Sequence, residues 1–336
     1  METKESKLFH ILDESTKILM NKLGIAYLEA LIHSAENLID DGKVFNDKDL
    51  LSEEVVYELK NKYKKIDLTD YEPEMIRKAM QLAMLRGMKE DYIQANHQMT
   101  PDSLGNLIAY LIEIIVEPEK SFHLADLSAG TGNLLLTVHH FLNQEAKRQI
   151  KLSGIDNDEL MLSLASTNSA IQRTPVNLQY QDALSNILLQ PIDIVVSDLP
   201  VGYYPLAERA EKYETHFSNK DDQSYSHYLL IEQSINYLKE GGYAFFLLPT
   251  NLFNDPKVKI LIDYLNKVSY IQAIVELPEE IFANEQSRKS VLVIQKKGKK
   301  AKQMDEVLLS KAPNFKNFDA MKIFLGEIKE WKKNNK

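Results

Sequence analysis

The sequence predicts an α/β fold, in which a doubly wound, mostly parallel sheet follows an N-terminal helical domain. Two observations lead to this prediction. Residues 1–95 show apolar positions three and four apart and no strand-like alternation of any length. After residue 95, short apolar runs alternate with helical stretches, a pattern typical of strand–helix units in a parallel sheet.

The helical domain is predicted over residues 1–95. The stretch KLFHILDESTKILMNKL has leucine and isoleucine at helical spacing, and YLEALIHSAENLIDDG repeats the pattern up to Gly42, a residue type that often ends a helix. Two further helical stretches follow, DKDLLSEEVVYELKNKYKKI and EPEMIRKAMQLAMLRGM. We expect these helices to form a domain or a cap of their own.

Residues 96–300 are predicted to form the sheet and the helices that cover it. Thr100 is expected to be the N-cap of a helix, with Pro101 in its first turn. The predicted strands are FHLADL, KLSGID, VNLQYQD, DIVVSD, YAFFLLP, IQAIVELP and SVLVIQKK. The predicted helices between them include NLLLTVHHFLNQEAK, DELMLSLASTNSAI and SYSHYLLIEQSINYLKEGG. Residues 301–336 are expected to be a lysine-rich, partly helical tail.

The composition excludes several kinds of site. The chain has 336 residues, a formal net charge of −9 and no cysteine, which excludes disulfides, thiolate catalysis and cysteine zinc sites. No apolar run reaches the length of a membrane span, and the charged N-terminal stretch is unlike a signal peptide, so we expect a cytoplasmic protein that does not enter a membrane. The acidic balance lowers the expectation of tight, independent nucleic-acid binding, although charge can be segregated on the surface.

The segment ADLSAGTGNLLL predicts a ligand-binding turn after the first strand. Gly130, Thr131 and Gly132 allow a tight turn into a helix whose first N–H groups are free. A dinucleotide-binding turn would need a small residue at Leu135, and Asp126 would repel a pyrophosphate. An acid here better suits a ligand with a positive amino group, such as an amino-acid moiety. The alternative is an ordinary glycine-rich turn without a ligand.

Two further acids follow the next two predicted strands. Asp156 in SGIDND can accept hydrogen bonds from both hydroxyls of a ribose, and Asp182 in QYQDAL can take the amino group of an adenine. Each acid alone is more often a solvated residue at a strand end. Because the carboxyl ends of parallel strands form the ligand-binding edge of such sheets, Asp126, Asp156 and Asp182 together indicate a ligand with an amino acid, a ribose and an adenine.

The fourth motif is Asp198-Leu199-Pro200-Val201 in SDLPVGYY. With this motif the sequence resembles the class I S-adenosylmethionine-dependent methyltransferases. It is more closely similar to the N6-adenine DNA methylase group, which includes type I restriction modification subunits, and most closely to the YtxK-like methyltransferases. The resemblance covers about residues 90–300 and implies S-adenosyl-L-methionine as the cofactor. It rests on HQMTPDSLG, DLSAGTGNLL, GIDND, QDAL, SDLPVGYY, LKEGGYAFFLLP, ELPEEIF and SVLVIQKK.

The resemblance assigns roles to the candidate cofactor residues. It implies that Thr100 and Pro101 flank the cofactor. It places the other residues as follows: Asp126, Gly130 and Gly132 at the methionine part, Asn133 and Leu134 at the start of the next helix, Asp156 at the ribose, and Asp182 and Ala183 at the adenine. Thr131 and Asn157, which adjoin these residues, are also expected to bind the cofactor.

The resemblance also places Asp198, Leu199 and Pro200 in the family's Asp/Asn/Ser-Pro-Pro-aromatic catalytic motif. An exocyclic amino or amide nitrogen is a poor nucleophile, because its lone pair is drawn into a π system. Hydrogen bonds to a carboxylate and a backbone carbonyl help the nitrogen to attack the sulfonium methyl in line. Leu199 replaces a proline but keeps its carbonyl. Val201 replaces the aromatic ring that stacks on a flipped base, a contact of about 1–3 kcal/mol.

Several tyrosines near these motifs are candidate substrate contacts, whereas two histidines are interpreted as structural. Tyr203 or Tyr204 can supply a ring from a shifted position, and Tyr225 is a candidate substrate contact. His139 and His140 lie within a predicted helix and are interpreted as structural. No spacing of metal ligands is recognisable, so no metal site is predicted.

Two classes of function follow from these motifs. The first is a methyltransferase that acts on a planar nitrogen, with adenine N6 in DNA ahead of a protein glutamine amide. The second is a cofactor-binding scaffold or regulator that has lost catalysis; the retained Asp198 and Pro200 favour the enzyme. Residues 301–336 are too few for a target-recognition domain. DNA specificity would then need the helical domain or a separate specificity subunit.

Overall fold

The structure is a computed structural model that describes residues 3–46, 49–94, 98–144, 146–217 and 223–335. The predicted domain boundary between residues 95 and 96, and His97 of the HQMTPDSLG motif, lie outside these ranges. None of the helices within them combines the length and the apolar character needed to cross a membrane.

Four helices form the N-terminal region, which confirms its all-helical prediction: α1 (Lys4–Leu23), α2 (Tyr27–Ile39), α3 (Glu53–Tyr63) and α4 (Pro73–Glu90). Helix α1 begins where the Thr3 side chain accepts the Ser6 N–H, and it ends at Gly24 with a left-handed φ of 67°. The four helices share one apolar core. Met161 and Leu164 of a helix from the following region complete that core, so the helical region packs directly on the sheet region.

The strands that follow the helical region form one eight-stranded sheet, in the order β3-β2-β1-β4-β5-β7-β6-β8. The strands are β1 (Ser121–Asp126), β2 (Gln149–Asp156), β3 (Asn177–Tyr180), β4 (Ile192–Asp198), β5 (Leu238–Pro249), β6 (Ser269–Glu276), β7 (Lys289–Lys296) and β8 (Leu308–Lys311). Strand β7 runs antiparallel to both of its neighbours, and the other pairs are parallel. The strand order reverses between β1 and β4, and open α/β sheets bind ligands at such a switch point.

Helices cover both faces of the sheet, as expected for a doubly wound fold. They are α5 (Asp102–Ile115), α6 (Asn133–Asn143), α7 (Glu159–Ile171), α8 (Ala207–Ala210), α9 (Ser226–Tyr237), α10 (Val258–Val268) and α11 (Phe318–Asn334). Strand β5 shows how both faces are buried. Phe245 and Leu247 pack with α5 and α6, whereas Phe246 and Leu248 pack with α9 and α10. Burial on both sides explains why the strands are continuous apolar runs.

The start of β5 differs from its prediction. The sequence predicted a helix through LKEGG, but α9 ends at Tyr237 and Leu238 already pairs with Ile192 of β4. The next residues form a bulge in which Gly241 has a φ of 78° and a side chain at Gly242 would meet the Asp193 carbonyl at 2.9 Å. The glycines therefore serve the bulge rather than the end of a helix.

The C-terminal residues add to the same sheet. Strand β8, which the sequence analysis did not predict, pairs in parallel with β6 at the edge of the sheet. Helix α11 buries Phe324 and Ile328 in the core that α5 and α6 also line. The four residues of β8 lie in the segment that was predicted to be a partly helical tail.

Candidate active site

A cleft of about 1050 Å³ opens at the carboxyl ends of β1, β2 and β4. Its size is close to the upper end of the range of about 300–1,000 Å³ that is usual for small-molecule sites. The cleft is lined by all but one of the predicted cofactor residues: Thr100, Pro101, Asp126, Gly130, Thr131, Asn133, Leu134, Asp156, Asn157, Asp182 and Ala183. Gly132 is the exception.

The glycine turn explains why Gly132 lies away from the cleft. Gly130 and Gly132 both adopt a left-handed φ, of 51° and 72°. A side chain at Gly132 would meet the Cβ of Ala165 in α7 at 3.3 Å. Gly132 therefore permits close packing on α7, while Gly130 donates its N–H to Asp156 Oδ2 at 2.7 Å.

Asp126 is the most deeply buried acid of the cleft. Its Oδ1 accepts the Ser128 N–H at 2.9 Å and the Ser197 hydroxyl at 2.6 Å. Burial raises the pKa of Asp126 to about 7; the two hydrogen bonds oppose this shift, and the nearby Asp156 and Asp198 add to it. A positive ligand group in the cleft would stabilise the ionised carboxylate.

Asp156 and Asp182 face the cleft from the ends of β2 and β3. Asp156 accepts the N–H groups of Gly130 and Asp158, and burial raises its pKa. Asp182 accepts the Leu184 N–H at 2.9 Å and also contacts the Arg209 guanidinium and the hydroxyl of a neighbouring tyrosine. A carboxylate offers about four lone-pair sites, so Asp182 retains about one for a ligand.

That tyrosine is Tyr204, one of the predicted substrate contacts. Its ring is buried, and burial together with Asp182 raises its pKa to about 12. Tyr204 lines the cleft and holds Asp182 in place, but it presents no open ring face for stacking. Tyr203 and Tyr225 do not line the cleft; their rings pack together with centroids 5.3 Å apart, and Tyr225 donates its hydroxyl to Asp255.

Asp198 lies at the carboxyl end of β4, beside the acids of the cofactor region. Its Oδ2 accepts the Thr100 hydroxyl at 3.0 Å, and its Oδ1 forms an ion pair with Lys289. The predicted helix cap at Thr100 is wrong: α5 begins at Asp102, so Pro101 occupies the N-cap position and no side chain caps the helix. The Thr100 hydroxyl binds a residue that is 98 positions away, a contact that no local pattern reveals.

The acceptor side of the cleft has two walls. Leu199, Pro200, Val201 and Leu206 form one of them, and Val201 and Leu206 are 50% and 49% exposed. A second lining segment was not among the predicted site residues: Ile281, Phe282, Ala283, Asn284, Gln286, Ser287, Arg288 and Lys289. Because β7 is antiparallel, its first residue, Lys289, reaches the same edge as the ends of the parallel strands. Leu85 of α4 also lines the cleft.

The side chains present fit S-adenosylmethionine. The buried carboxyl of Asp126 suits its amino group, and Asp156 beside the glycine turn suits its ribose diol. Asp182 has about one lone-pair site left, so the backbone at Ala183 is the main remaining partner for its adenine.

Comparisons with known proteins show the family to which the chain belongs. The N-6 DNA Methylase family model matches residues 89–327, and the YtxK N-terminal helical domain model matches residues 6–88. The uncharacterized protein YtxK of Bacillus subtilis is 36% identical over 329 residues, which are 98% of each chain.

Solved structures show the same relationship. A proposed class I S-adenosylmethionine-dependent methyltransferase from Listeria monocytogenes is 39% identical, covers 97% of this chain and 98% of its own, and has a TM-score of 0.90. A type I restriction-modification methyltransferase subunit from Streptococcus thermophilus shares the fold at 17% identity, over 96% of this chain and 74% of its own, with a TM-score of 0.68. The chain therefore belongs to the N-6 DNA methylase family and is a class I S-adenosylmethionine-dependent methyltransferase.

Proposed function

We propose that this enzyme methylates an exocyclic planar nitrogen, and that its acceptor is adenine N6 in DNA. The observation that carries the proposal is the position of Asp198 and Leu199, at the switch point of the sheet and next to the three acids of the cofactor region. The match of residues 89–327 to the N-6 DNA methylase model supports adenine as the acceptor.

S-adenosylmethionine, when bound, supplies an electrophilic methyl group on its sulfonium. The chain supplies position and polarity. In this proposal, the Asp198 carboxylate and the Leu199 carbonyl accept hydrogen bonds from the two hydrogens of the acceptor amino group. These bonds direct the nitrogen lone pair toward the methyl group, and the proton that the nitrogen then loses passes to water.

Lys289 fits this role for Asp198. The ammonium group holds Oδ1 of the carboxylate in a charge-assisted hydrogen bond, while the Thr100 hydroxyl holds Oδ2. Of about four lone-pair sites on a carboxylate, Thr100 and Lys289 use two, so two remain for the acceptor amino group.

A DNA acceptor requires contacts to phosphate groups from outside this cleft. Among the described residues that line it, the cationic ones are Arg288 and Lys289, and both are ion-paired, with Glu279 and Asp198. Phosphate contacts supply most of the affinity of proteins for DNA. We therefore propose that a separate specificity subunit, or the helical region, provides them.

A protein glutamine amide is the second candidate acceptor, and the rim of the cleft favours it. Val201 stands where the family has an aromatic ring, and Leu85, Val201 and Leu206 are each about half exposed there. An aliphatic rim suits an amide side chain, which needs no stacking plane.

Label transfer tests both acceptors. The protein and its Asp198→Ala variant are incubated with methyl-labelled S-adenosylmethionine and cell extract, and separate portions are then treated with nuclease or protease. We expect label that requires Asp198 and is lost with nuclease. Label lost with protease would overturn the DNA proposal in favour of the amide. No Asp198-dependent label, with the cofactor still bound, would overturn both and favour a scaffold.

A further inference from the structure

We infer that Arg77 of helix α4 is a positioning residue of the cofactor site, which makes the helical region a working part of that site. Arg77 holds the first residues of α5 and α6, the helices that follow the two cofactor-flanking segments, and it reaches Asp198 through Thr100. The inference rests on the proposed function for the role of Asp198 alone.

The side chain of Arg77 is buried and fully hydrogen-bonded. The side chain is 1% exposed, so its charge is buried. Its guanidinium has five N–H donors, and five hydrogen bonds use them: two to Glu74 at 2.7 and 2.8 Å, two to Asp102 at 2.9 and 2.6 Å, and one to Asn133 Oδ1 at 3.1 Å. These contacts raise the pKa of Arg77 against its burial, so it remains charged.

Two partners of Arg77 lie at the starts of helices that follow cleft-lining segments. Asp102 is the first residue of α5 and directly follows Thr100 and Pro101. Asn133 is the first residue of α6 and directly follows the glycine turn. One guanidinium therefore ties together two segments that line the cleft, from a helix that belongs to neither.

A continuous series of hydrogen bonds connects Arg77 to Asp198. Asn133 accepts a hydrogen bond from Arg77, and its Nδ2 donates to the Thr100 carbonyl at 2.8 Å. The Thr100 hydroxyl in turn donates to Asp198 Oδ2 at 3.0 Å. The Asn133 side chain, predicted to contact the cofactor, is thus engaged with Arg77, Asp102 and Thr100.

A second arginine on the same helix provides the matched control. Arg86 is also ion-paired, but its partners, Asp13 and Glu90, both belong to the helical region. Within the described residues, Arg86 forms no hydrogen bond or ion pair with a residue that lines the cleft. A general effect of losing an α4 arginine would appear in both variants.

Calorimetric titration with S-adenosylmethionine and S-adenosylhomocysteine tests the inference without an acceptor. Arg77→Lys keeps the charge but offers three donors in place of five, so at least two of the five hydrogen bonds to Glu74, Asp102 and Asn133 are lost. We expect it to raise the Kd of both ligands about tenfold, and Arg86→Lys to change it less than about twofold. Melting curves verify that both variants are folded. An unchanged Kd in folded Arg77→Lys would overturn the inference.

A double-mutant cycle tests the path. If Arg77 acts through Asn133, Arg77→Lys should weaken cofactor binding at least about threefold less in an Asn133→Ser background than in the native one, because Asn133 connects Arg77 to the Thr100 carbonyl. Independent, multiplying effects would overturn the path. Should Arg77→Lys not fold, Asn133→Ser by itself should raise the Kd of both ligands, and an unchanged Kd in that folded variant would overturn the inference. Absence of DNA methylation would count against the proposed acceptor and leave these binding results unaffected.

Discussion

The cofactor half of the cleft and the acceptor half hold their carboxylates in different ways. In the cofactor half, each strand-end aspartate accepts the backbone N–H of the residue two positions further on, at 2.9 Å: Asp126 from Ser128, Asp156 from Asp158 and Asp182 from Leu184. This local turn needs only a short segment of chain.

The acceptor half depends instead on distant partners. Asp198 is held by Thr100 and Lys289, which are 98 and 91 positions away in the chain. Each acid of the cofactor half therefore combines this local turn with contacts from other segments, such as Ser197 at Asp126, whereas both side-chain partners of Asp198 are distant. We expect cofactor binding and methyl transfer to be separable by mutation.

Asp198→Ala should separate the two halves most clearly. Loss of one preorganised group at the reacting centre typically lowers kcat by about 10²–10³-fold, while the Kd for S-adenosylmethionine should change less than about threefold. Asp193→Ala is the matched control, because Asp193 lies at the other end of β4 and pairs with Lys239. Full turnover in Asp198→Ala would place the reacting nitrogen elsewhere.

Cofactor binding should depend on pH through Asp126. Its pKa of about 7 means that the carboxyl is largely protonated at pH 5.5 and ionised at pH 8. Because a positive amino group prefers the carboxylate, affinity should rise about 30-fold across that range, with proton release that calorimetry in different buffers detects. Asp126→Asn should bind more weakly and lose this dependence; a retained dependence would assign it to another group.

The same shift has a consequence for the unliganded protein. The pKa of Asp126 is raised from 3.8 to about 7, so the folded state binds this proton more tightly than the unfolded state. The contribution of Asp126 to the free energy of unfolding is therefore largest below pH 4 and declines as the pH rises from about 4 to about 7. S-adenosylmethionine should offset this decline, which melting curves across the range would measure.

Lys289→Met should lower turnover more than cofactor binding. Without the ammonium group, Asp198 loses one of its two side-chain partners, so we expect kcat to fall about tenfold and the Kd for S-adenosylmethionine to stay within about threefold. Lys239→Met breaks the ion pair at the opposite end of β4 and serves as the control. An equal fall in both variants would reduce the effect to one of stability.

Val201→Phe sharpens the choice between acceptors and has the smallest expected effect. Val201 is half exposed on the cleft wall, so a larger side chain fits there. A restored ring should lower the KM for a base about fivefold, within the range of stacking contributions, and leave an amide acceptor unaffected. A KM for DNA that rises would count against a stacked base at this position.

Much of the fold was predictable from local pattern. The helical region and the strands from β1 to β7 were predicted because apolar spacing over several residues reflects burial on one face or on both. The bulged start of β5 was wrong, since pairing of Leu238 with Ile192 overrides the helical pattern of LKEGG. Strand β8 was missed, because its segment was assigned to a partly helical tail.

The fold class and the acids of the cofactor half followed from the sequence, because each acid lies at or just after the end of a strand and accepts the N–H of the residue two positions further on. Only the folded chain shows which side chains surround Asp198, which second segment lines the cleft, and that Arg77 supports the cofactor segments. Those contacts join residues from 25 to 98 positions apart, and their geometry arises only when the sheet order and the antiparallel β7 bring the segments together.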